Sequence, residues 1–217
     1  MPVVLDARGL DLRTASRELK AHLNEQPVVV RNVGHLHGFA AGLKVGQVAI
    51  EGDSGDYLGV LNNGAAIRVT GDAGQYVADN MTRGDVVIEG NAAYGAAQYC
   101  CGGTVIIKGS AGDFTATMNK GATVIIAGNV GDEAATYMLA GDLIIVGDAG
   151  HNLGNCLIRG SIYIGGRWAS LGHNCRVEPL TSEDMDKLRS YFGTYGIVAD
   201  PAAFKKVAPL SAKPFYK

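Results

Sequence analysis

Histidine and cysteine are the side chains best suited to metal or nucleophilic chemistry, and the 217-residue chain holds five of the first and four of the second. His35-x-His37, His151, His173, Cys156 and Cys175 form the pool from which a metal constellation would be drawn. Zinc requires four ligands converging on a point, with neighbouring groups that orient the histidines. Cys156 and Cys175 are 19 residues apart, but His151 and His173 do not share that register. Small residues stacked at a repeated corner explain the cysteines more simply. Cys100 and Cys101 are adjacent, and the four together do not form the pattern of a disulfide scaffold.

Asp53, Asp72 and Asp148 recur in one phase, where Asn91 and Asn129 substitute. Asx side chains at such positions bond nearby backbone in a turn. Calcium-binding solenoids use a denser Gly-Gly-x-Gly-x-Asp pattern at a shorter period. Some parallel β-helices carry paired carboxylates for glycoside hydrolysis, but the acids here are scattered singly among units. The chain has no Gly-x-Ser-x-Gly, no Ser/His/Asp arrangement and no phosphate loop. The expectation is a chain with no catalytic, cofactor-binding or metal-ligating residues of its own.

The elements that position these residues follow a fixed interval. Gly52, Gly71, Gly90, Gly109, Gly128, Gly147 and Gly166 are each 19 residues apart, with no insertion or deletion. Such a period marks a repeat architecture. Two residues before each glycine lie Ile50, Val69, Ile88, Ile107, Ile126, Ile145 and Ile164. Four before it lie Val48, Ile67, Val86, Val105, Val124, Leu143 and Ile162. Apolar, mostly β-branched positions two apart mark one face of a strand. Stacked about 4.8 Å apart, equivalent strands would place these side chains in two inward columns.

A second glycine follows the first by three residues at Gly55, Gly74, Gly112, Gly131 and Gly150, with Ala93 and Ala169 as small exceptions. A third precedes the strand at Gly46, Gly84, Gly103, Gly141 and Gly160. Tight coil corners need positive φ or close backbone contact, and glycine accepts both. The fold expected is all-β: a single-stranded, right-handed parallel β-helix of seven 19-residue coils with small α-helical extensions at each end. The domain plan is an α/β cap over 1–45, the solenoid over 46–177, and a C-terminal helix and tail over 178–217.

In the cap, Thr14 is expected to start a helix running to about Asn24, and Pro27–Arg31 reads as a strand. Val28 and Val30 there resemble the ladder pair, one residue out of register. Thr181-Ser-Glu-Asp184 reads as a capping box, with Met185, Leu188 and Phe192 on one helical face and Gly193 or Gly196 as the stop. A short Pro201–Val207 helix and the tail SAKPFYK follow.

Net charge is −2 and no Lys/Arg run exceeds a pair, which argues against a nucleic-acid or membrane-surface partner. No apolar stretch spans a bilayer, and MPVVLDARGL lacks the layout of an export signal. A cytoplasmic location is expected. Between the inward columns the outward positions read Ala49, Arg68, Val87, Ile106, Ile125, Ile144, Tyr163, and the later ones are strongly apolar. Either the Met185–Phe192 helix covers them or they form a subunit interface. Ile106, Ile125, Ile144, Tyr163, Phe215 and Tyr216 are the candidate interface residues.

The G-x2-G coils, together with the run from Gly166 through RWASLGHNC to the helix and FKKV, resemble the GXGXG domain family. That β-helix forms the C-terminal domain of the large glutamate synthase subunit, and it stands as a separate subunit in formylmethanofuran dehydrogenase and related formyltransferase/hydrolase complexes. The ending, with the Glu183–Phe192 helix, Tyr195-Gly196-Ile197 and Phe204-Lys205-Lys206, is similar to that of free-standing glutamate-synthase-like subunits. This resemblance implies a non-catalytic scaffold in a higher hetero-oligomer. One partner would have a class II glutamine-amidotransferase fold. The other would carry an FMN-binding barrel and an iron–sulfur cluster. The alternative is a subunit of a formyltransferase/hydrolase complex. An independent polysaccharide-active enzyme would be exported and show a carboxylate-lined cleft, and neither is evident.

Overall fold

The computed structural model describes residues 1–213. The repeat unit folds as a strand followed by a turn wall. The seven strands are β3 (Gln47–Glu51), β4 (Asn63–Val69), β5 (Arg83–Ile88), β6 (Thr104–Ile107), β7 (Lys120–Ile126), β8 (Ala140–Ile145) and β9 (Ser161–Ile164). Each pairs in parallel with the next, and the register aligns the 19-residue positions. Val48 through Ile162 and Ile50 through Ile164 are the two inward columns, and every member is buried. Burying such side chains contributes about 1.5–3 kcal/mol each. A second line of parallel bridges runs from Ser54 through Ala73, Ala92, Ala111, Val130 and Ala149 to Trp168 on the opposite side of the coil.

Both ends are capped by irregular elements, as a stack of open coils requires. β1 (Val3–Asp6) and β2 (Val28–Arg31) extend the parallel sheet, with Val28 opposite Val48 and Val30 opposite Ile50. α1 (Leu12–His22) lies between them and buries Ala15 and Leu19. Its cap is Asp11, not Thr14: the Asp11 carboxylate accepts the Thr14 backbone N–H at 2.7 Å. Thr14 is thus the third residue of the helix, and Leu23 ends it.

At the far end, β10 (Cys175–Glu178) and β11 (Lys205–Pro209) join antiparallel, in the order β9-β11-β10. The expected Pro201–Val207 helix is corrected here. Only Pro201–Ala203 makes a 3₁₀ turn, and the following residues pair with the last solenoid strand. An unpaired edge of backbone groups on β9 would invite aggregation, and β11 satisfies it.

The glycines also need correction. Gly52 has φ +99°, but Gly71, Gly90, Gly109, Gly128, Gly147 and Gly166 lie outside the left-handed region. Close approach explains them instead. A Cβ on Gly109 would sit 2.7 Å from the Gly90 carbonyl oxygen and would overlap the Asn91 side chain. Positive φ belongs to the glycines entering the strands, from Gly46 at +100° to Gly160 at +88°. That series is interrupted at Ala65 and Ala122, where a buried asparagine takes over. Asn62 accepts the Ala65 N–H at 3.1 Å and donates to its carbonyl at 2.9 Å. Asn119 does the same for Ala122 at 2.9 and 2.8 Å.

Candidate interaction surfaces

The outward positions of the strands make one long wall. α2 (Ser182–Tyr195) crosses its C-terminal half and buries Ile106, Ile125, Ile144 and Tyr163 completely beneath Leu188 and Phe192. Of the two occupants the sequence leaves open for this stripe, the structure places the chain's own helix there. Phe215 and Tyr216 lie outside the described residues. The helix starts at Thr181 in the expected capping box and ends at Gly196 in the left-handed conformation. Lys108 donates to the Tyr195 carbonyl, Lys187 pairs with Asp142 at 3.2 Å, and the Tyr191 and Thr123 hydroxyls meet at 3.1 Å.

One buried cluster fixes the start of α2. Tyr163 donates its hydroxyl to Asp184 at 2.6 Å, and Lys206 donates to the same carboxylate at 2.9 Å. The Thr181 backbone and hydroxyl donate to it at 3.0 and 2.9 Å. Burial alone would raise the Asp184 pKa, but the hydrogen bonds from Tyr163, Thr181 and Lys206 outweigh it and hold it well below the usual carboxylate range. Burial, and then the bond to Asp184, push the Tyr163 phenol well up. The N-terminal half of this wall stays uncovered. A groove of 370 Å³ lies there between Tyr195 and the outer side chains Val29, Ala49, Arg68 and Val87.

The opposite, turn wall is built differently. Its Asx residues form ladders between coils; they do not bond within their own turns, which corrects the turn reading. Asp53 accepts the backbone N–H of Asp72 at 2.8 Å, Asp72 that of Asn91 at 2.6 Å, and Asn129 that of Asp148 at 2.8 Å. A second ladder runs through Asp56, Asp113 and Asp132, whose carboxylates accept from Gln75, Asp132 and His151 at 2.8, 2.8 and 2.6 Å. Beside it stands a column of rings: Tyr57 stacks on Tyr76 at 4.7 Å, Tyr76 meets Tyr94 edge-on at 5.5 Å, and Tyr94 lies tilted against Phe114 at 5.3 Å. The 19-residue spacing of Tyr57 and Tyr76 is the sequence signal that would have found this column.

The histidines are spread along the solenoid. His35 contacts the Leu10 carbonyl at 3.0 Å, and His37 accepts the Asp56 N–H at 3.1 Å. His151 and His173 each give a backbone N–H to the preceding coil, His151 to Asp132 and His173 to Asn155. Cys175 points its thiol at the Gly154 carbonyl, 3.0 Å away, and burial pushes its pKa up to about 11. Burial pushes the Cys100 thiol up to about 12. Among the described residues, no group of three or more His, Cys, Asp or Glu is placed to hold a metal ion. Among the same residues no helix is long and apolar enough to cross a membrane.

These features define a parallel β-solenoid built on a 19-residue glycine repeat, with one wall closed over its C-terminal half by the chain's own helix and the other open. Residues 29–192 match the GXGXG motif, and the chain belongs to that family. No curated protein matches the sequence.

Proposed function

We propose that this chain is the structural subunit of a glutamate-synthase-like complex, namely N-methylglutamate synthase, which makes N-methylglutamate and ammonia from glutamate and methylamine. The observation that carries the reading is the family match across solenoid and α2, residues 29–192. The solenoid joins a class II amidotransferase-like subunit to an FMN-binding subunit. FMN and an iron–sulfur cluster sit in that partner, and the chain's task is geometric. A solenoid suits it because each coil contacts only its neighbours, giving a rod with long sides. Co-expression of the three subunits tests the proposal. The expected outcome is one complex whose methylamine-dependent N-methylglutamate synthesis is lost when this chain is omitted. A complex that assembles and turns over equally well without it would overturn the reading.

A further inference from the structure

Charge is divided unevenly between the two walls. The seven turn segments 52–61, 71–80, 90–99, 109–118, 128–137, 147–156 and 166–175 carry eight Asp or Glu against one basic residue, Arg167, whose backbone N–H bonds Asp148 at 2.7 Å. The intervening strand segments 62–70, 81–89, 100–108, 119–127, 138–146 and 157–165 carry three Asp or Glu and five Lys or Arg. Asp53, Asp72 and Asp148 are exposed on one ladder, and Asp113 and Asp132 on the other. Among the described residues no Lys or Arg forms an ion pair with any of the five. Asp53 and Asp72 are stacked one coil apart, as are Asp113 and Asp132, an arrangement in which like charges repel.

The aromatic rings beside the ladders stand at conformations that disfavour them. Tyr57, Tyr76, Phe114, Tyr99 and Tyr137 all have φ between +55° and +58°. Glycine fills equivalent positions at Gly38, Gly42 and Gly95, so the turn itself does not need a ring. Within the column Tyr57 and Tyr94 remain 41% and 37% exposed. Tyrosine faces bordered by carboxylates are the surface that guanidinium and ammonium groups bind best, through cation–π contact and charge-assisted hydrogen bonds.

We infer that the turn wall is the docking face for a basic protein surface, rich in arginine and lysine, on a partner subunit. The inference rests on the reading of this chain as a subunit, and holds whichever complex it belongs to. Cationic side chains seat between the two carboxylate ladders and over the Tyr57–Phe114 column, relieving the repulsion along the wall. The uncovered groove beside Tyr195 stays outside this contact.

The test is carbodiimide cross-linking of the complex purified from its native host, with cross-linked sites read by mass spectrometry. It is paired with a variant carrying Asp53→Asn, Asp56→Asn, Asp72→Asn, Asp113→Asn, Asp132→Asn and Asp148→Asn. Asparagine keeps the ladder acceptor, as Asn91 and Asn129 already do, so the variant should fold, which circular dichroism checks. Expected are cross-links from turn-wall carboxylates to partner lysines, and a loss of about tenfold or more in partner affinity in the folded variant at low salt. Glu183→Gln with Asp186→Asn on α2 should leave affinity unchanged. If the complex forms but cross-links fall on the strand wall, or the neutralised variant binds within twofold, the docking face is wrong while the subunit reading stands. Cross-links only between copies of this chain also overturn it. A chain that purifies alone overturns both.

Discussion

At the corner entering each strand, Gly84 has φ +91°, and a Cβ there would overlap the Ala65 carbonyl oxygen. On the turn wall Ala78, Ala97, Ala116 and Ala135 occupy the same left-handed region, at +56° to +59°, and each carries a Cβ. Both corners bend the chain through positive φ, yet glycine predominates only at the first, and the second holds it at Gly59 and Gly154 alone among these coils. Left-handed φ costs a non-glycine residue about 1–2 kcal/mol, and this fold accepts that 18 times among the described residues. It does not accept overlap with the backbone of the coil below. The glycine repeat is therefore a record of contact between coils more than of dihedral angle.

The walls differ in closure as well. The C-terminal half of the strand wall is sealed by α2 and the Asp184 cluster, whereas the turn wall is open. Breaking the seal should have the largest effect. Asp184→Ala removes the acceptor of Tyr163, Lys206 and the Thr181 cap at once, leaving a lysine that is 20% exposed without its partner. A loss of about 3–5 kcal/mol is expected from such a deletion, measured by urea unfolding. A loss nearer 1 kcal/mol would show that α2 docks through its apolar face alone.

Gly109→Ala comes next, at about 1–3 kcal/mol for overpacking against backbone. Its φ is not left-handed, so the methyl group's contact with the Gly90 carbonyl is what the experiment reads. Unchanged stability would return the repeat to a dihedral explanation.

The pH dependence of the seal has two opposite limbs. Asp184 has a depressed folded pKa, so its contribution is present above the unfolded value of about 4 and disappears as pH falls below it. Tyr163 has a raised folded pKa, so its contribution is present below the unfolded value of about 10 and disappears as pH rises above it. Asp184→Asn should flatten the acid limb, monitored by thermal unfolding across pH. An acid limb of the same depth in that variant would assign it to other carboxylates.

The inward columns were legible because identical chemistry recurs at a fixed interval, and stacking turns interval into contact. The seal was only half legible. Thr181 and Asp184 are three residues apart and announce a cap, but Tyr163 and Lys206 reach the same carboxylate from distant segments. β11 was missed because Pro201 signals a helical turn, while the bare edge of β9 exists only once the stack is built. The left-handed turn wall was hidden by composition, since alanine, tyrosine and phenylalanine do not advertise positive φ. The asparagine exchange was readable: Asn62 and Asn119 stand three residues before the two alanines that interrupt the strand-entry glycines.

The smallest expected effect is the sharpest test of the comparison. Gly59 has φ +65°, and a Cβ there would meet only side-chain ends, Ile67 Cδ1 at 3.1 Å and Val86 Cγ2 at 3.8 Å. Its counterparts one to four coils on are Ala78, Ala97, Ala116 and Ala135, all buried. In Gly59→Ala, the left-handed penalty of about 1–2 kcal/mol opposes two gains. One is the narrower unfolded ensemble, about 0.4–1 kcal/mol. The other is a buried methyl, about 0.8 kcal/mol. These terms nearly cancel, so the change should fall within about 1 kcal/mol of zero. A rule based on φ ranks Gly59→Ala as the damaging substitution and Gly109→Ala as the mild one, while a rule based on contact ranks them the other way. Urea unfolding of the two variants side by side decides between them, and Gly59→Ala proving the worse would return positive φ to the centre of the fold.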